Sequence, residues 1–409
     1  MKKYVKKTGK IRVYFHQMAS HRERQKDTVI HAPTNIIPLS PLKRKENLDN
    51  IGVFNKLQKK TMRNRLEKII LPLVPLLHVD RMPPMHSKAD YVYTWSTIPL
   101  GCRKPFIIEV DNPYTLTYYN YRSFQLYKPI IRRVLLSPDC HKVVCMSEAC
   151  RLQMIKELGQ GVGKKCVVSY PFMKWLGSKK RINYGEPVRF LFVGLKFDIK
   201  GGKEALKAFS ECKNRNTVLD VVGNVDSKYI EKYRHDKRIR FLGLIPRKEL
   251  FRKVFPEHDV LLFPTLHESF GLVALEALSF GLGIITTNTY ALSELVKHGF
   301  NGYLMKNPYM EESRFDTGKE TEKGKIAKGT MKFSEVTRYT LDEFEKRNLI
   351  RERFSKKLFF ETKKAIEAAL KNHVNWRRNA RQVFASQFTE KKWKENFSRI
   401  FKYDAQTRL

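Results

Sequence analysis

Two glutamates with residues 269–275 between them, Glu268 and Glu276, are the side chains of this chain whose type and spacing best suit chemistry. Glu268 lies in a loop after an apolar, strand-like run, and Gly271 then begins an apolar helix that carries Glu276. The first N–H groups of a helix lack intrahelical partners and lie at the positive end of the helix dipole, so they suit a phosphate. The two carboxylates would repel a phosphate but can accept hydrogen bonds from hydroxyls. A diphosphate flanked by hydroxyls describes a nucleotide-sugar.

A second segment, residues 192–202, follows a strand pattern with a loop and then a helix beginning near Lys203. The loop holds Lys200 and Gly201, and Gly194 ends the strand. Glycine lets a ligand approach the backbone closely, and lysine supplies a positive charge. In a chain this basic, the alternative is that Lys200 is an ordinary surface lysine.

The segment PTLHESFGLVALEALSFGLGIITTN, residues 264–288, resembles the donor site of the retaining glycosyltransferases of family 4, also called group 1, and ELVKHGFNGYL continues the resemblance. The resemblance implies that Glu268 holds hydroxyls of the transferred sugar and that Glu276 accepts from the ribose. It implies that Lys200 neutralises the donor diphosphate. The family's arginine position is Leu195; either Lys196 or another cation substitutes, or the chain belongs to a branch whose loop reads VG-x-x-F-x-x-KGG.

The same resemblance predicts the rest of the donor pocket. The expected donor-binding residues are Gly194, Lys200, Gly201, Gly223, Ile245, Glu268, Ser269, Phe270, Gly271, Leu272 and Glu276. The expected reaction moves a glycosyl group from a UDP- or GDP-linked donor to a hydroxyl of a glycan or lipid-linked acceptor, with retained anomeric configuration. No D-x-D motif stands in the expected place, so neither a metal nor a separate cofactor is expected.

Four positions in the N-terminal half are further candidates. Asp111 follows a predicted strand where family members often carry a histidine. Its carboxylate could bond donor sugar or acceptor, or transfer a proton, which would make it catalytic with Glu268 and Lys200; it could equally cap the turn that Asp-Asn-Pro favours. Trp95, Ser96 and His16 each favour a structural role, and Trp95 is in addition a candidate stacking platform for a sugar.

Apolar strands alternating with helices indicate α/β architecture with parallel sheets. The resemblance implies two Rossmann-like domains of the GT-B kind with the active site in the interdomain cleft. The expected organisation is an N-terminal, acceptor-side domain at 1–172, a linker at 173–187, a nucleotide-sugar domain at 188–386 with a charged insertion near 311–351, and a C-terminal helix at 387–409 that crosses back to the first domain.

The bulk property that stands out is charge: 79 basic against 41 acidic residues, a net charge of +38. A nucleotide-sugar needs few cations, so the excess indicates a further anionic partner. A basic, helix-like segment from Val53 to Leu71 is either packed on the core or laid on an anionic membrane. The alternative function is a non-catalytic GT-B-like protein that binds nucleic acid or another polyanion, although no nucleic-acid module is recognisable.

The six cysteines show no C-x-x-C spacing, which favours reduced thiols and not a zinc site or a disulfide framework. The N-terminus lacks the apolar core of a secretory signal, and the apolar runs are short and cut by prolines. We therefore expect a cytoplasmic enzyme that is a candidate for peripheral attachment to the inner face of a membrane.

Overall fold

The computed structural model describes residues 10–16, 23–39, 77–177, 186–308, 310–312, 332–334 and 354–401. The chain divides into two compact units, Met1–Phe172 with Gln387–Leu409, and Met173–Ser386. The basic segment from Val53 to Leu71 lies outside the described residues. So does the expected insertion, apart from 311–312 and 332–334.

The first unit is built on a six-stranded parallel sheet with the order β2-β1-β4-β6-β7-β8, and a separate parallel pair joins β3 to β5. Its strands are β1 (Ile11–Phe15), β2 (Ile36–Leu39), β3 (Val79–Arg81), β4 (Tyr91–Trp95), β5 (Ile98–Leu100), β6 (Phe106–Val110), β7 (Cys140–Cys145) and β8 (Cys166–Val168). Its helices are α1 (Glu23–Ile30), α2 (Tyr121–Leu136), α3 (Glu148–Leu158) and α4 (Gln160–Gly163), with 3₁₀ turns at Pro84–Lys88 and Pro113–Thr117.

Local sequence explains these elements. All five residues of β6 are buried, as expected for a central strand of a parallel sheet covered on both faces. The side chain of Ser147 accepts a hydrogen bond from the Cys150 N–H and so caps the start of α3. Gly159 ends that helix.

The second unit contains another six-stranded parallel sheet, with the order β11-β10-β9-β12-β13-β14, and an antiparallel pair, β15–β16. Its strands are β9 (Val188–Gly194), β10 (Thr217–Gly223), β11 (Ile239–Gly243), β12 (Val260–Phe263), β13 (Gly283–Thr287), β14 (Gly302–Met305), β15 (Met310–Glu312) and β16 (Lys332–Ser334). Its helices are α5 (Gly202–Ser210), α6 (Ser227–Tyr233), α7 (Arg247–Glu249), α8 (Leu272–Ser279), α9 (Leu292–Leu295) and α10 (Lys356–Gln387); a π turn at Leu250–Val254 and a 3₁₀ turn at Phe255–Glu257 follow α7.

The strand order of this sheet reverses between β9 and β12. The chain proceeds from β9 outward through β10 to β11, and then returns to place β12 on the other side of β9. In an open parallel sheet the loops after two such strands diverge and leave a crevice at their carboxyl ends, where ligands bind. The loops that carry Lys200 and Glu268 are these two.

The two long C-terminal elements pack in different units. On α10 the buried Trp376 joins the core of the second unit, and Arg377 forms a buried ion pair with Asp259, Nη1 to Oδ1, 2.8 Å. The last helix, α11 (Glu390–Ile400), places Trp393 and Phe397 in the core of the first unit. Within the described residues no helix is both long enough and apolar enough to cross a membrane.

The predicted α/β class with two Rossmann-like halves is confirmed: each unit contains its own parallel sheet with helices in the connections.

Candidate active site

Lys200 and Glu268 meet at the strand reversal of the second sheet. The Nζ of Lys200 lies 2.8 Å from Oε2 of Glu268 and donates a second bond, also 2.8 Å, to the carbonyl oxygen of His267. The two side chains are 20% and 18% exposed, so they are shielded but can be reached from solvent. Two residues predicted from separate motifs are thus in direct contact.

Glycine makes the approach of the two loops possible. Gly201 has a φ of +73°, and a Cβ on it would lie 2.1 Å from the carbonyl oxygen of Pro264, which follows β12. A larger residue would push the two loops apart. Gly194 and Gly223 are Cα partners at the carboxyl ends of β9 and β10, so these two predicted residues lie at the same edge of the sheet.

The N-terminus of α8 begins beside this pair. Gly271 is the N-cap, in the left-handed conformation, and it has no side chain with which to cap the first turn. Leu272 is the first helical residue, and Phe270 is buried beneath the loop. The Ser269 N–H donates to Oε1 of Glu268 at 3.1 Å and fixes that carboxylate. A helix start next to an ammonium group suits an anion.

Electrostatics keep Glu268 charged and His267 neutral. Burial alone would raise the pKa of Glu268, but the Lys200 charge and the hydrogen bonds from Lys200 and Ser269 outweigh it and lower the pKa below its ordinary value. Burial and then the Lys200 charge lower the pKa of His267 to about 4. At neutral pH the pair is therefore an ammonium–carboxylate contact beside an uncharged imidazole.

Glu276, the second predicted glutamate, forms a separate ion pair. Its Oε1 accepts a hydrogen bond of 2.8 Å from Nε of Arg247, whose guanidinium lies over the Phe251 ring at 4.5 Å. The carboxylate side chain is 12% exposed and the arginine 45%. Arg247 could not be predicted from the sequence, because no spacing rule connects the turn after β11 to the helix α8.

Leu195 and Ile245, two further positions considered in the sequence, lie in the turns after β9 and β11. Leu195 follows β9 with 58% of its surface exposed, so the position of the family's arginine supplies no charge. The charge of Lys196 contributes to the lowered pKa of His267, which places this second cation near the pair. Ile245 is half-buried in the turn after β11, two residues before Arg247.

Asp111, in the first unit, does not cap its turn. The cap of the 3₁₀ turn that starts at Pro113 is Asn112, whose side chain accepts from the Tyr114 N–H, so the capping interpretation of Asp111 is wrong. The buried Asp111 carboxylate instead accepts a 2.8 Å hydrogen bond from the Tyr119 hydroxyl.

Trp95 is not a stacking platform. Its side chain is 4% exposed and packs in the hydrophobic core against Phe15, with ring centroids 6.0 Å apart. Ser96, which follows it, adopts a left-handed φ of +53°. The packing fits the structural role favoured for Trp95, and the stacking alternative is wrong because the strand turns this ring toward the core.

A histidine cluster that the sequence did not reveal lies after β1 and β4. Nε2 of the buried His16 is 2.8 Å from Oδ2 of Asp80, and Nε2 of His78 is 2.8 Å from the Thr97 hydroxyl oxygen. Tyr118 stacks on His78 at 4.4 Å. These contacts support the structural role favoured for His16.

Part of the chain is similar to known proteins. Residues 174–314 match the family model described as glycosyl transferases group 1. An uncharacterised 41.2 kDa protein in the cps region of Klebsiella pneumoniae is 32% identical over 120 residues, 29% of this chain and 33% of that protein. The GPI3 subunit of phosphatidylinositol N-acetylglucosaminyltransferase of Saccharomyces cerevisiae is 28% identical over 176 residues, 40% of this chain and 39% of that protein. The matched region thus spans about a third of the length of these curated relatives.

Solved structures resemble nearly the whole chain. Anabaena HepE in complex with UDP and glucose has a TM-score of 0.57 and 12% identity, over 95% of this chain and 98% of that one. Sucrose-phosphate synthase of Thermosynechococcus elongatus has a TM-score of 0.58 and 12% identity, over 96% and 98%. At such low identity these likenesses show the GT-B fold alone.

Proposed function

We propose that this chain transfers a sugar from a nucleotide-sugar to a hydroxyl of a glycan or lipid-linked acceptor, with retained anomeric configuration, because residues 174–314 match the family model described as glycosyl transferases group 1. The observation that carries the proposal is the contact of Lys200 with Glu268 beside the start of α8. UDP bound to HepE and the phosphatidylinositol acceptor in the name of the yeast relative support a UDP-sugar and a lipid-linked acceptor.

The proposed chemistry follows from charge. As the sugar leaves, the transition state resembles an oxocarbenium ion and negative charge grows on the departing diphosphate. Lys200, the N–H groups at Gly271 and Leu272, and the α8 dipole would stabilise that charge from fixed positions. Glu268 would then accept from hydroxyls of the transferred sugar and orient its reacting carbon. Glu276 would accept from the ribose.

The remaining predicted residues take supporting roles in this proposal. Gly194, Gly201 and Gly223 would form the donor site by letting its strand ends and loops pack closely, while Ile245, Ser269 and Phe270 would shape the pocket for the nucleoside. Asp111, held by Tyr119, would bond the sugar or the acceptor or carry a proton.

Thermal shift with UDP- and GDP-sugars tests the proposal. We expect one nucleotide series to raise the melting temperature, and Glu276→Gln to abolish that rise. Glu231→Gln changes an exposed glutamate of α6 and is the matched control. No shift with any nucleotide, together with tight and salt-sensitive binding to DNA or RNA, would support the non-catalytic polyanion binder instead.

Two measurements test the chemistry itself. Product anomers read by NMR should match the donor, and inverted products would refute the retaining mechanism. We also propose that transfer needs no metal, because Lys200 and the helix start can offset the diphosphate charge. Turnover should therefore survive EDTA, and a loss restored by Mg²⁺ or Mn²⁺ would contradict this.

We place the protein in the cytoplasm, as the free thiols favour. All six cysteines are unpaired, and four are buried: Cys140, Cys145, Cys150 and Cys212. Free thiols are typical of a reducing compartment. Cell fractionation checks the assignment, and recovery in a periplasmic or secreted fraction would contradict it.

A further inference from the structure

The outer face of α2, in the first unit, combines exposed apolar side chains with arginines. Leu126 and Ile130 are 61% and 51% exposed, and Leu136 at the helix end is 40% exposed. Arg122, Leu126, Ile130 and Arg133 follow one another at spacings of four, four and three residues, so they form one line along the helix. The opposite face is buried through Phe124, Ile131 and Leu135.

The charge of this face has a single sign. The sequence of α2 contains no acidic residue and carries Arg122, Lys128, Arg132 and Arg133. Lys128 pairs with Glu157 at 3.1 Å. The three arginines are exposed, and within the part of the chain that the structure describes none of them forms an ion pair. Their guanidinium groups are therefore available to phosphate groups outside the chain.

We propose that the outer face of α2 docks on an anionic phospholipid surface, with Leu126 and Ile130 entering the boundary between headgroups and acyl chains and the arginines contacting lipid phosphates. Scattered exposed leucines need no explanation, but an apolar line bordered by arginines fits a lipid interface. This surface lies outside the proposed donor site and is a different element from the basic segment at Val53–Leu71.

The charge of the face disfavours other occupants. A second copy of the chain would bring arginines against arginines, because α2 offers no carboxylate to pair with them. A nucleic acid would use the arginines but would gain little from burying Leu126 and Ile130. A lipid surface satisfies both kinds of side chain at once.

Vesicle co-sedimentation with the full chain tests the proposal. We expect binding to phosphatidylcholine vesicles that contain phosphatidylglycerol, weaker binding to phosphatidylcholine alone, and a decline with added salt. Arg122→Gln with Arg133→Gln should weaken partitioning by about tenfold or more, at roughly fivefold for each cation near such a surface. Leu126→Ser with Ile130→Ser should weaken it by about tenfold or more through lost apolar burial.

Matched variants on α10 test whether vesicle binding depends on the outer face of α2 or only on the overall charge of the chain. Arg378→Gln with Arg381→Gln removes the same charge from another exposed helix surface, and Phe360→Ser removes a side chain that is 56% exposed. Both should leave partitioning within about twofold of the unchanged protein. Equal losses from the α2 and α10 arginine pairs, or no vesicle binding at all, would overturn the proposal.

Insertion of the outer face of α2 between lipids can be measured separately, by fluorescence quenching. Tryptophan fluorescence of Leu126→Trp should be quenched by lipids brominated in the acyl chains, whereas that of Phe360→Trp should not. Circular dichroism checks that each variant is folded. Because none of these measurements involves donor or turnover, the docking surface and the proposed transferase activity can fail independently.

Discussion

At the scale of single residues, the ammonium group of Lys200 has two competing partners. Its Nζ donates to Glu268 and to the carbonyl oxygen of His267. A bound diphosphate would offer a more highly charged partner at the same position, and Glu268 would then be released to accept from sugar hydroxyls. The pair thus keeps both groups in place and charged before the donor arrives.

Replacing Lys200 tests its role in stabilising the leaving group. Lys200→Ala should reduce kcat by about 10²-fold or more, by analogy with the loss of one charge-stabilising donor. Lys200→Arg should recover part of the activity, since it keeps the charge. Lys237→Ala, at an exposed lysine, is the control that steady-state kinetics should find unchanged. Full turnover by Lys200→Ala would refute the assignment.

Arg247 should act by positioning Glu276. Without the guanidinium, the carboxylate loses the hydrogen bond from Nε. We expect Arg247→Ala to raise KM for the donor roughly threefold to tenfold with little change in kcat, because in the proposed function Glu276 binds the ribose and not the reacting atoms. Arg252→Ala removes an exposed arginine from the neighbouring turn and is the comparison. A lowered kcat with an unchanged KM would point to a different role.

His267 makes stability depend on pH. Its pKa is about 4 in the folded chain against 6.5 in the unfolded chain, so between these values the unfolded chain binds more protons. The stability it contributes is therefore present above pH 6.5 and lost as the pH falls toward 4, by at most about 3 kcal/mol. The melting temperature of His267→Gln, compared with the unchanged chain, should improve steadily as the pH is lowered across this window. A constant difference would contradict the lowered pKa.

At the scale of elements, the candidate site depends on the close approach of the loop after β9 to the loop after β12. Gly201→Ala would force a Cβ to 2.1 Å from the Pro264 carbonyl oxygen. Gly299→Ala introduces a similar left-handed strain, at φ +77°, but its Cβ would have nothing within 4 Å. We expect the control to cost about 1 kcal/mol and Gly201→Ala at least twice that, together with loss of the donor-induced thermal shift. Equal melting temperatures would show that the loops adjust freely.

Sequence periodicity predicted the central strands well. The strands predicted before Asp111 and before Glu268 are present as Phe106–Val110 and Val260–Phe263, because buried strands of a parallel sheet are nearly continuous apolar runs. It missed β2, whose four residues IIPL include a proline and lie at the edge of the sheet. It also missed α1, in which Arg24 forms an ion pair with the buried Glu109 of β6.

The residues of the candidate site likewise fall into two groups, those that the local sequence predicts and those that it does not. Residues in a contiguous motif, such as Glu268 and Gly271, could be chosen from local pattern. Arg247 and Asp80 could not, because each meets its partner only through the order of strands in the folded sheet. The sequence left the stacking alternative for Trp95 open, because alternation along a strand does not say which face packs against a helix that is distant in sequence.

At the scale of the whole molecule, the two units have separate cores that depend differently on the C-terminus. The core of the second unit ends with Trp376 of α10. The core of the first unit includes Trp393, Phe397, Ile400 and Phe401, which α11 brings back from the end of the chain. The first unit therefore depends on residues that follow the whole of the second unit in the chain.

Truncation after Gln387 should destabilise the first unit and leave the second unit folded. It removes four buried apolar side chains from the sheet of the first unit, including Phe397, which stacks on Phe15 with centroids 6.5 Å apart. Each large buried side chain lost typically costs about 3 kcal/mol or more, which together exceeds the stability of most domains.

Limited proteolysis should then digest the first unit and leave a fragment near residues 173–386. That fragment should still show a thermal shift with the donor nucleotide, because Lys200, Glu268 and Glu276 lie within it. The single substitution Phe360→Ser, on the exposed face of α10, should leave both units resistant. If the truncated chain resists protease as the full chain does, α11 adds little to the first unit and this account of its core is wrong.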